Sequence, residues 1–445
     1  MIKSMYDGDR LTPPLRKNYL MDSVRIPYGN GFLSFDFNDK YSFDKILPNE
    51  SIVTRNKELE FIKKALNNCI GKDEKKLFNE PKCKKVAIAI NDPTRPIPNN
   101  LLLPPLLKHI ENLDISRKNI SFFIATGTHK GLNKNEINEI LTPEIAEKYD
   151  VVVHDCDDPN NLIFLGHSTS GTPIYINKDY YLHDLKLVVG QIEPHHFMGF
   201  SGGVKSAVIG LGGRKTIEGN HSKILNPKAK MGIFFTNPMR KEVEEIGKTI
   251  GIDIAFNVVV NSQKQIISTF YGDPYQVMLE GINTSASVCQ VDSEGEYDMV
   301  IASPGGYPKD INLYQSQKAI THACTFLKKN GVVILAAACS EGTGNKLFEN
   351  YFQGKHTWLE IINSFEKQKF RVGPHKAFQL ALQLKDHPII LISEMKSKKV
   401  RDMLLTPAKD ISEAISLSKD FLPETPRIVV LPYATHTMLR TGSGV

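Results

Sequence analysis

Short apolar runs recur along the first part of the chain, and each ends in a polar turn that contains glycine or proline. The clearest runs are KKVAIAI (84–90), ISFFIA (120–125), DVVVHD (150–155) and LKLVVG (185–190). Runs with so little alternation are typical of strands that are buried on both faces, as in a parallel sheet. Stretches with helical spacing lie among them, at 56–70 and near 100–112. This alternation of strands and helices predicts an α/β fold.

The same alternation begins again near residue 297. The segment 297–319 contains an apolar strand, a glycine turn and a helix, and three more strands follow in KKNGVVILAAACS, HPIILISEM and RIVVLPY. Between the two halves, 237–290 holds two helical stretches around strands at 253–261 and 265–271. A hairpin is expected around the turn Tyr28-Gly29-Asn30-Gly31. We therefore predict an N-terminal arm (1–20), a first domain (21–290) and a second α/β domain (291–428).

Composition and charge narrow the class of protein. The 445 residues are 41% hydrophobic and 23% charged, which favours a folded chain with a large core over a disordered one. A net charge of +6 without a strong basic cluster does not indicate nucleic-acid binding. The six cysteines form no C-x-x-C motif, so we expect reduced core thiols in a cytoplasmic protein. We see no secretion signal and no apolar run approaching ~18 residues, so no membrane contact is expected.

The densest group of chemically useful residues lies in Gly190–His221, directly after a predicted strand. It contains paired histidines (His195 and His196), the glycine turns SGG and GLGG, a lysine (Lys205) and a closing histidine (His221). Glycine amides in such turns can bind an anion, and histidine can ligate a metal or transfer a proton near neutral pH. A lysine becomes a nucleophile when its charge is suppressed. We interpret this segment as a ligand site.

Other polar clusters also follow predicted strands. Asp92 and Arg95 lie in DPTRP, His129 lies in TGTH, and Gln315 and Lys318 lie three residues apart at the head of a helix after GGYPKD. Open α/β sheets bind ligands at the carboxyl ends of their strands. Each cluster also has a structural interpretation: an internal Asp–Arg pair, a turn histidine and a solvated helix start.

The residues by themselves leave the chemistry open. GLGGRK lacks the third glycine of the dinucleotide fingerprint, and GGVKS lacks the spacing of a phosphate-binding loop, so NAD and ATP are weakly indicated. Histidines spread in this way could instead hold zinc. A conventional NAD-type dehydrogenase, a zinc hydrolase and a non-enzymatic metal- or nucleotide-binding module therefore remain alternatives.

Taken in order, the motifs resemble one family. DPTRP, TGTH, PHHFMGFSGGVK, the dipeptide NH at His221 and GGYPKDINLYQSQK are similar to the lactate racemase family, whose members use a nickel-pincer nucleotide. The resemblance covers 21–445. It implies two α/β domains with the active site in the cleft between them and the end of the chain, 429–445, packed back on the first domain. It also implies a small-molecule 2-hydroxy acid as substrate and cofactor-biosynthesis enzymes as partners.

The resemblance further implies a role for each matching residue. Lys205 would hold the cofactor covalently, as the thioamide of a pyridinium-3-thioamide-5-thiocarboxylate mononucleotide, and His221 would ligate its nickel. His129 and His195 would be the acid/base pair. The remaining residues would line the cofactor and substrate pocket: Asp92, Thr94 and Arg95 from the first domain, and Tyr314, Gln315 and Lys318 from the second.

The implied reaction is racemisation or 2-epimerisation by reversible hydride transfer. Removing the α-hydrogen as a proton is hard, because the neighbouring carboxylate disfavours a carbanion. Removing it as hydride is easier if a histidine takes the hydroxyl proton, and the cofactor then carries the difficult step. Two enantiomers direct their hydroxyls differently, so one histidine is expected for each. Arg95 and Lys318 would hold the carboxylate.

Two departures from the family leave the substrate open. The family's lactate-specific member has a pocket tryptophan, but the single tryptophan here, Trp358, lies in a predicted helix, and the pocket segment reads GPHKAFQL. Phe378 or His375 would then take its place. VKSAVIGLGG also lacks a proline that is common in the family. Lactate, malate, an aryl hydroxy acid and a sugar acid therefore all remain candidates, and His196 is predicted to support its neighbour.

Overall fold

A computed structural model of the chain describes residues 24–36, 41–50, 52–78, 85–129, 131–293, 295–368 and 370–440. Its framework is a pair of six-stranded sheets, each covered by helices. This confirms the predicted fold of two α/β domains. The predicted arm, 1–20, lies outside the described residues.

The first sheet is parallel apart from one edge strand. Across the sheet its strands are Ile266–Gly272, Ile254–Val260, Leu185–Gln191, Val86–Asn91, Ile120–Ala125 and Asp150–Val153. Ile266–Gly272 pairs antiparallel with its neighbour, and the other pairs are parallel. The four apolar runs predicted as strands in the first part of the chain are therefore neighbours in one sheet.

The strand Val86–Asn91 shows why these runs are continuously apolar. Alternate side chains of a strand point to opposite faces of its sheet. Ala87 and Ala89 pack in one hydrophobic cluster, and Val86, Ile88 and Ile90 pack in another on the opposite face. Because both faces are covered, positions 86–90 are all apolar, and the polar side chains begin at the strand's last residue, Asn91, and continue in the turn after it.

The second sheet is parallel throughout. Its strands, in order, are Thr406–Ala408, Ile389–Ile392, Leu327–Ala336, Tyr297–Ala302, Ile428–Leu431 and Phe43–Lys45. The last of these comes from near the start of the chain. It pairs with Ile428–Leu431 and fills the edge that the later strands leave open.

Residues near the start of the chain therefore belong with the second sheet, which differs from the predicted first domain of 21–290. The predicted hairpin is present, as Val24–Tyr28 paired with Gly31–Phe35. Its apolar face packs in the same cluster as Met299 and Ile334, both from the second sheet. The hairpin needs an apolar surface to cover that face, and the second sheet supplies it.

The end of the chain also differs from the prediction that 429–445 packs back on the first domain. Ile428–Leu431 is an inner strand of the second sheet. Farther on, Met438–Leu439 pairs with Gln290–Val291, and Met438 Sδ would lie 3.4 Å from a Cβ placed on Gly232 of the first domain. His436 also lies near the first domain, with 3.8 Å between its Nε2 and Glu193 Oε2. The described end of the chain therefore approaches the first domain only after the strand Ile428–Leu431, and 441–445 lie outside the described residues.

The remaining elements connect the sheets. Short strands pair as Leu162–His167 with Pro173–Asn177 and as Pro194–His195 with Gly199–Phe200. The helices are Arg55–Leu66, Glu74–Phe78, Asn99–Glu111, Lys134–Leu141, Pro143–Lys148, Lys178–Leu182, Lys205–Val208, Arg214–His221, Pro238–Ile250, Pro274–Cys289, Leu313–Cys324, Lys346–Asn350, Trp358–Glu366, Pro374–Asp386, Ser397–Asp402 and Ile411–Ser418. Single turns of 3-10 helix cover Arg117–Asn119, Pro159–Asn161, Ser222–Leu225, Lys419–Phe421 and Ala434–His436.

Two further expectations concerned the state of the cysteines and the presence of membrane-spanning segments. The described cysteines are free thiols, and they are Cys69, Cys156, Cys289, Cys324 and Cys339. Cys83 lies outside the described residues. Within the described ranges, no helix combines the length and the apolar composition that a bilayer crossing requires.

Candidate active site

One cavity gathers most of the predicted site residues from both halves of the molecule. Its walls include the ends of two strands of the first sheet, Val86–Asn91 and Ile120–Ala125, and the helix Leu313–Cys324, and its empty volume, open mouth included, is ≈ 920 Å³. The predicted residues that line it are Arg95, His129, His195, Lys205, His221, Tyr314, Gln315 and Lys318. Asp92 and Thr94 line an adjoining cavity. The structure therefore brings together residues that lie far apart in the sequence.

A glycine loop presents Lys205 to this cavity. Gly202 has φ +95° and Gly203 has φ +58°, a region of backbone conformation that favours glycine. A Cβ on Gly202 would lie 2.7 Å from Ile192 Cγ1, and one on Gly203 would lie 2.6 Å from Met278 Cγ. Glycine is thus needed at both positions for the chain to turn against the sheet and begin the helix at Lys205.

A buried arginine holds the same loop from behind. Arg240 is 1% exposed, and its guanidinium donates to the carbonyls of Phe200 (3.3 Å) and Gly202 (3.1 Å) and to Glu244. Its helix, Pro238–Ile250, is begun by Asn237, whose side chain accepts from the amides of two residues in the first turn. The loop conformation therefore depends on contacts with the helix as well as on its glycines.

The environment of Lys205 suppresses its charge. The side chain is buried, and its Nζ donates one hydrogen bond, to Ser201 Oγ at 3.4 Å. Burial lowers the pKa of the Lys205 amine well below its ordinary value, and the charges of Arg95, Lys318 and Arg240 lower it further. An amine kept neutral in this way can act as a nucleophile.

His221 has a buried nitrogen without a hydrogen-bond partner. It ends the helix Arg214–His221 and lines the cavity, and its Nδ1 is unpartnered. Burial, followed by the charge of Lys205, lowers its pKa to about 3, so the ring is neutral and has a lone pair for a metal ion. A buried polar atom that is left unpaired in a well-packed region calls for a ligand or water.

His129 is paired with a buried carboxylate. Its Nδ1 hydrogen-bonds to Asp92 Oδ2, and Asp92 also accepts from Thr94 Oγ1 at 2.7 Å. Arg95 lies farther away, with 3.9 Å between Nη1 and Asp92 Oδ1. Burial alone would raise the pKa of Asp92, but the His129 hydrogen bond and charge and the Arg95 charge lower it below its usual value. The expected internal Asp–Arg pair is therefore loose, and the strong partner of Asp92 is His129.

His195 has a different environment. Its Nδ1 accepts from the amide of Met198 at 3.2 Å, so the neutral ring carries its proton on Nε2. Burial, with the charge of Lys205 next in size, lowers its pKa well below the ordinary value. His196 stacks on it, with 4.5 Å between ring centroids. The paired histidines are thus one rigid aromatic unit in the wall of the cavity.

The second domain contributes the start of the helix Leu313–Cys324 and one of its lysines, Lys318. Asn312 begins the helix Leu313–Cys324, and its side chain accepts from Gln315 N at 3.0 Å. Tyr314, Gln315 and Lys318 then line the cavity. Burial and the Arg95 charge lower the pKa of Lys318 to about 8.

The helix Pro374–Asp386 provides two more wall residues, His375 and Lys376. His375 was one of two predicted replacements for the family tryptophan. The other, Phe378, is instead buried in the core of the second domain, stacked on Phe365 at 4.6 Å. Sequence reasoning did not single out Lys376, although its place in GPHKAFQL beside His375 was a usable signal.

The second glycine turn is structural. Its amides and carbonyls bond within the protein: Gly213 N donates to Tyr175 O at 2.9 Å, and Gly210 O accepts from Gly127 N at 2.9 Å. A Cβ on Gly210 would lie 2.2 Å from Ser206 O. These glycines allow close packing of backbone rather than anion binding.

A three-histidine zinc centre is not formed. Among the described residues, the one group of three or more histidine, cysteine or carboxylate side chains whose ligand atoms converge within 4.8 Å is Asp155, Cys156 and Asp157. His195, His196 and His221 do not converge in this way. These histidines are therefore placed to bind different groups rather than one shared metal ion.

Models of one protein family match both halves of the chain. The family model described as the lactate racemase N-terminal domain matches residues 28–232, and the one described as the lactate racemase C-terminal domain matches 292–438. This chain belongs to the lactate racemase family. The predicted resemblance is thus confirmed, and the protein is an isomerase.

Relatives within the lactate racemase family match nearly end to end. Lactate racemase from Thermoanaerobacterium thermosaccharolyticum is 33% identical over 94% of this chain and 100% of its own. Lactate racemase from Lactiplantibacillus plantarum is 28% identical over 93% of this chain and 98% of its own. A structure of the lactate racemase apoprotein from T. thermosaccharolyticum superposes with a TM-score of 0.87 at 32% identity, covering 94% of this chain and 100% of that one. A Thermotoga maritima protein at 15% identity and a TM-score of 0.67, covering 87% of this chain and 99% of that one, shares the fold alone.

Proposed function

We propose that this protein racemises or epimerises a 2-hydroxy acid with a nickel-pincer nucleotide that Lys205 holds covalently and His221 holds through the metal. The observation that carries this proposal is one cavity lined by the buried amine of Lys205, the buried His221 ring with its unpartnered Nδ1, and further histidines that include His129 and His195. Both named relatives are lactate racemases, so lactate is the reference substrate.

The residues present fit such a group. A lysine must be a neutral amine to form the thioamide link, and burial together with neighbouring cations suppresses the charge of Lys205. Nickel accepts imidazole together with soft sulfur donors, and His221 offers a neutral ring. A single protein ligand is what a cofactor that supplies its own donors would need. Loading by dedicated biosynthesis enzymes follows from the covalent link.

When bound, the group would supply a site that accepts a hydride and returns it. The protein would bind the substrate carboxylate through Arg95 and Lys318, which line the same cavity. The substrate hydroxyl would then lie between the two histidines. His195 and Lys205 are buried in the cavity wall, so the contacts they make with a bound ligand would be shielded from water and strengthened.

The hydrogen bonds of the two histidines give them opposite starting roles. His129 donates Nδ1–H to Asp92, so its Nε2 lone pair can accept the hydroxyl proton of one enantiomer. His195 accepts at Nδ1 from Met198, so its Nε2–H can donate to the oxygen of the other. In the reverse direction the roles exchange, as a racemase requires.

Protein produced together with the cofactor-building enzymes tests the proposal. We expect an increased intact mass that disappears in Lys205→Arg, stoichiometric nickel, and interconversion of lactate enantiomers on chiral chromatography. In deuterated water the α-hydrogen should remain mostly protium. Turnover that requires added NAD, or zinc without an adduct, would replace this proposal with a dehydrogenase or a hydrolase; an adduct without turnover of any 2-hydroxy acid would indicate a binding module.

A further inference from the structure

Lys376 has a buried side-chain amine for which the proposed reaction has no use. It is 3% exposed, lies on the helix Pro374–Asp386 and lines the same cavity as His195 and Lys205. Its Nζ donates to His196 Nε2 at 3.3 Å and lies 5.4 Å from the centroid of the Tyr314 ring. Among the described residues, no carboxylate forms an ion pair with it.

An unpaired buried ammonium is costly, because desolvation is not repaid by an opposite charge. Burial and the charges of Lys318 and Arg95 accordingly lower the pKa of Lys376 well below its ordinary value. A ligand anion in the cavity would remove this penalty. Since Arg95 and Lys318 already serve the substrate's first carboxylate, Lys376 is available for a second anionic group.

We infer that the substrate of this racemase is a short 2-hydroxy dicarboxylate, such as malate, whose distal carboxylate binds Lys376 and His196. The inference rests on the proposed racemase function and adds the substrate class. His196 stacks on His195, which places Lys376 one imidazole away from the proposed site of proton transfer. That separation suits a distal group on a short carbon chain.

The other candidate substrates fit this wall less well. An aryl or methyl substituent would leave the Lys376 amine without a hydrogen-bond or charge partner in the ligand, and the Phe378 that could have supplied an apolar wall is buried elsewhere. The hydroxyls of a sugar acid could bond to Lys376 but would leave its charge uncompensated. A second carboxylate satisfies both the hydrogen-bonding and the charge of the side chain.

The decisive experiment compares malate with 2-hydroxybutanoate on the loaded enzyme. The two acids have the same number of carbons and differ in the distal carboxylate. We expect kcat/KM for malate to be at least about 100-fold higher, and Lys376→Met to reduce the malate-to-hydroxybutanoate ratio by about 100-fold, in line with the loss of a buried charge pair. Lys376→Arg keeps the charge and should lose less of the ratio. Succinate should inhibit the wild type more strongly than butyrate, and the difference should vanish in Lys376→Met.

The outcomes separate this inference from the proposed function. A loaded wild type that prefers hydroxybutanoate or lactate overturns the dicarboxylate and leaves the racemase standing, whereas turnover of no 2-hydroxy acid overturns both. If Lys376 instead binds the cofactor phosphate, Lys376→Met will lower the intact-mass adduct and slow both substrates equally, which also overturns the inference. Should Lys376→Met fail to fold by circular dichroism, His196→Gln tests the same contact, and an unchanged substrate ratio there would refute it.

Discussion

Replacing Asp92 with asparagine tests how His129 is prepared for proton transfer. Asp92 is 3% exposed and accepts from His129 Nδ1 and from Thr94 Oγ1. Asparagine keeps the shape but removes the charge, and its amide can present N–H groups where the carboxylate accepted. The imidazole would then favour the tautomer with its proton on Nε2, which cannot accept the hydroxyl proton. Asp92 is thus a positioning residue whose effect passes through His129.

The size of the effect follows from the geometry. A hydrogen bond to a charged group contributes about 1.5–3 kcal/mol. Unit charges ~4 Å apart attract by about 4 kcal/mol at an effective dielectric of about 20. Loss of about 2–4 kcal/mol of stabilisation of the imidazolium corresponds to about a 30- to 1,000-fold fall in kcat. Thr94→Val removes only a neutral hydrogen bond from the same carboxylate, so we expect a loss of about tenfold or less.

The assay is racemisation of each enantiomer by the loaded enzyme, followed by chiral chromatography over a range of pH. For mirror-image substrates the equilibrium constant is one, so kcat/KM must fall equally in both directions, while kcat can differ between them. The pH profile of Asp92→Asn should change shape, which a merely structural residue would not cause. Asp92→Asn with kcat within threefold of the wild type and an unchanged pH profile would refute the reasoning.

Three further predictions concern the metal, the glycine loop and acid stability. His221→Ala should retain the mass adduct on Lys205 but lose nickel on desalting, measured by elemental analysis; full nickel occupancy would exclude His221 as the ligand. Arg240→Met should lower the free energy of unfolding by about 3–5 kcal/mol, because it leaves the Glu244 carboxylate buried and unpaired. Denaturant titration should find that the double variant, Arg240→Met with Glu244→Gln, is less destabilised than Arg240→Met alone. Burial would raise the pKa of Glu242, but hydrogen bonds from Lys223, Ser168 and other side chains lower it from 4.5 to about 2. The contribution of Glu242 to stability is therefore complete above pH ~4.5 and is lost as the pH falls toward 2. The free energy of unfolding of Glu242→Gln should depend less on pH in that window. The same pH dependence as in the wild type would contradict the lowered pKa of Glu242.

The elements of this fold and most of the titratable residues that line its cavity could be predicted from the sequence. The strand Val86–Asn91 and its neighbours in the sheet are almost entirely apolar because both faces of the sheet are covered. A run of adjacent apolar residues is visible in the sequence itself. Parallel strands direct their carboxyl ends to one edge, so the polar turns at His129 and His195 could be expected to meet. The glycines beside Lys205 likewise reflect a local need for positive φ.

The tertiary structure alone decided which distant groups became partners. The strand Phe43–Lys45 joins the second sheet because that sheet has a free edge, and nothing in three residues encodes such an edge. Asp92 pairs with His129 rather than closely with Arg95, since two loops after adjacent strands place them together. Lysine is usually a surface residue, and Lys376 lines the cavity only because its helix packs against His196. Pairings of this kind depend on how whole elements pack, and local sequence carries no record of that.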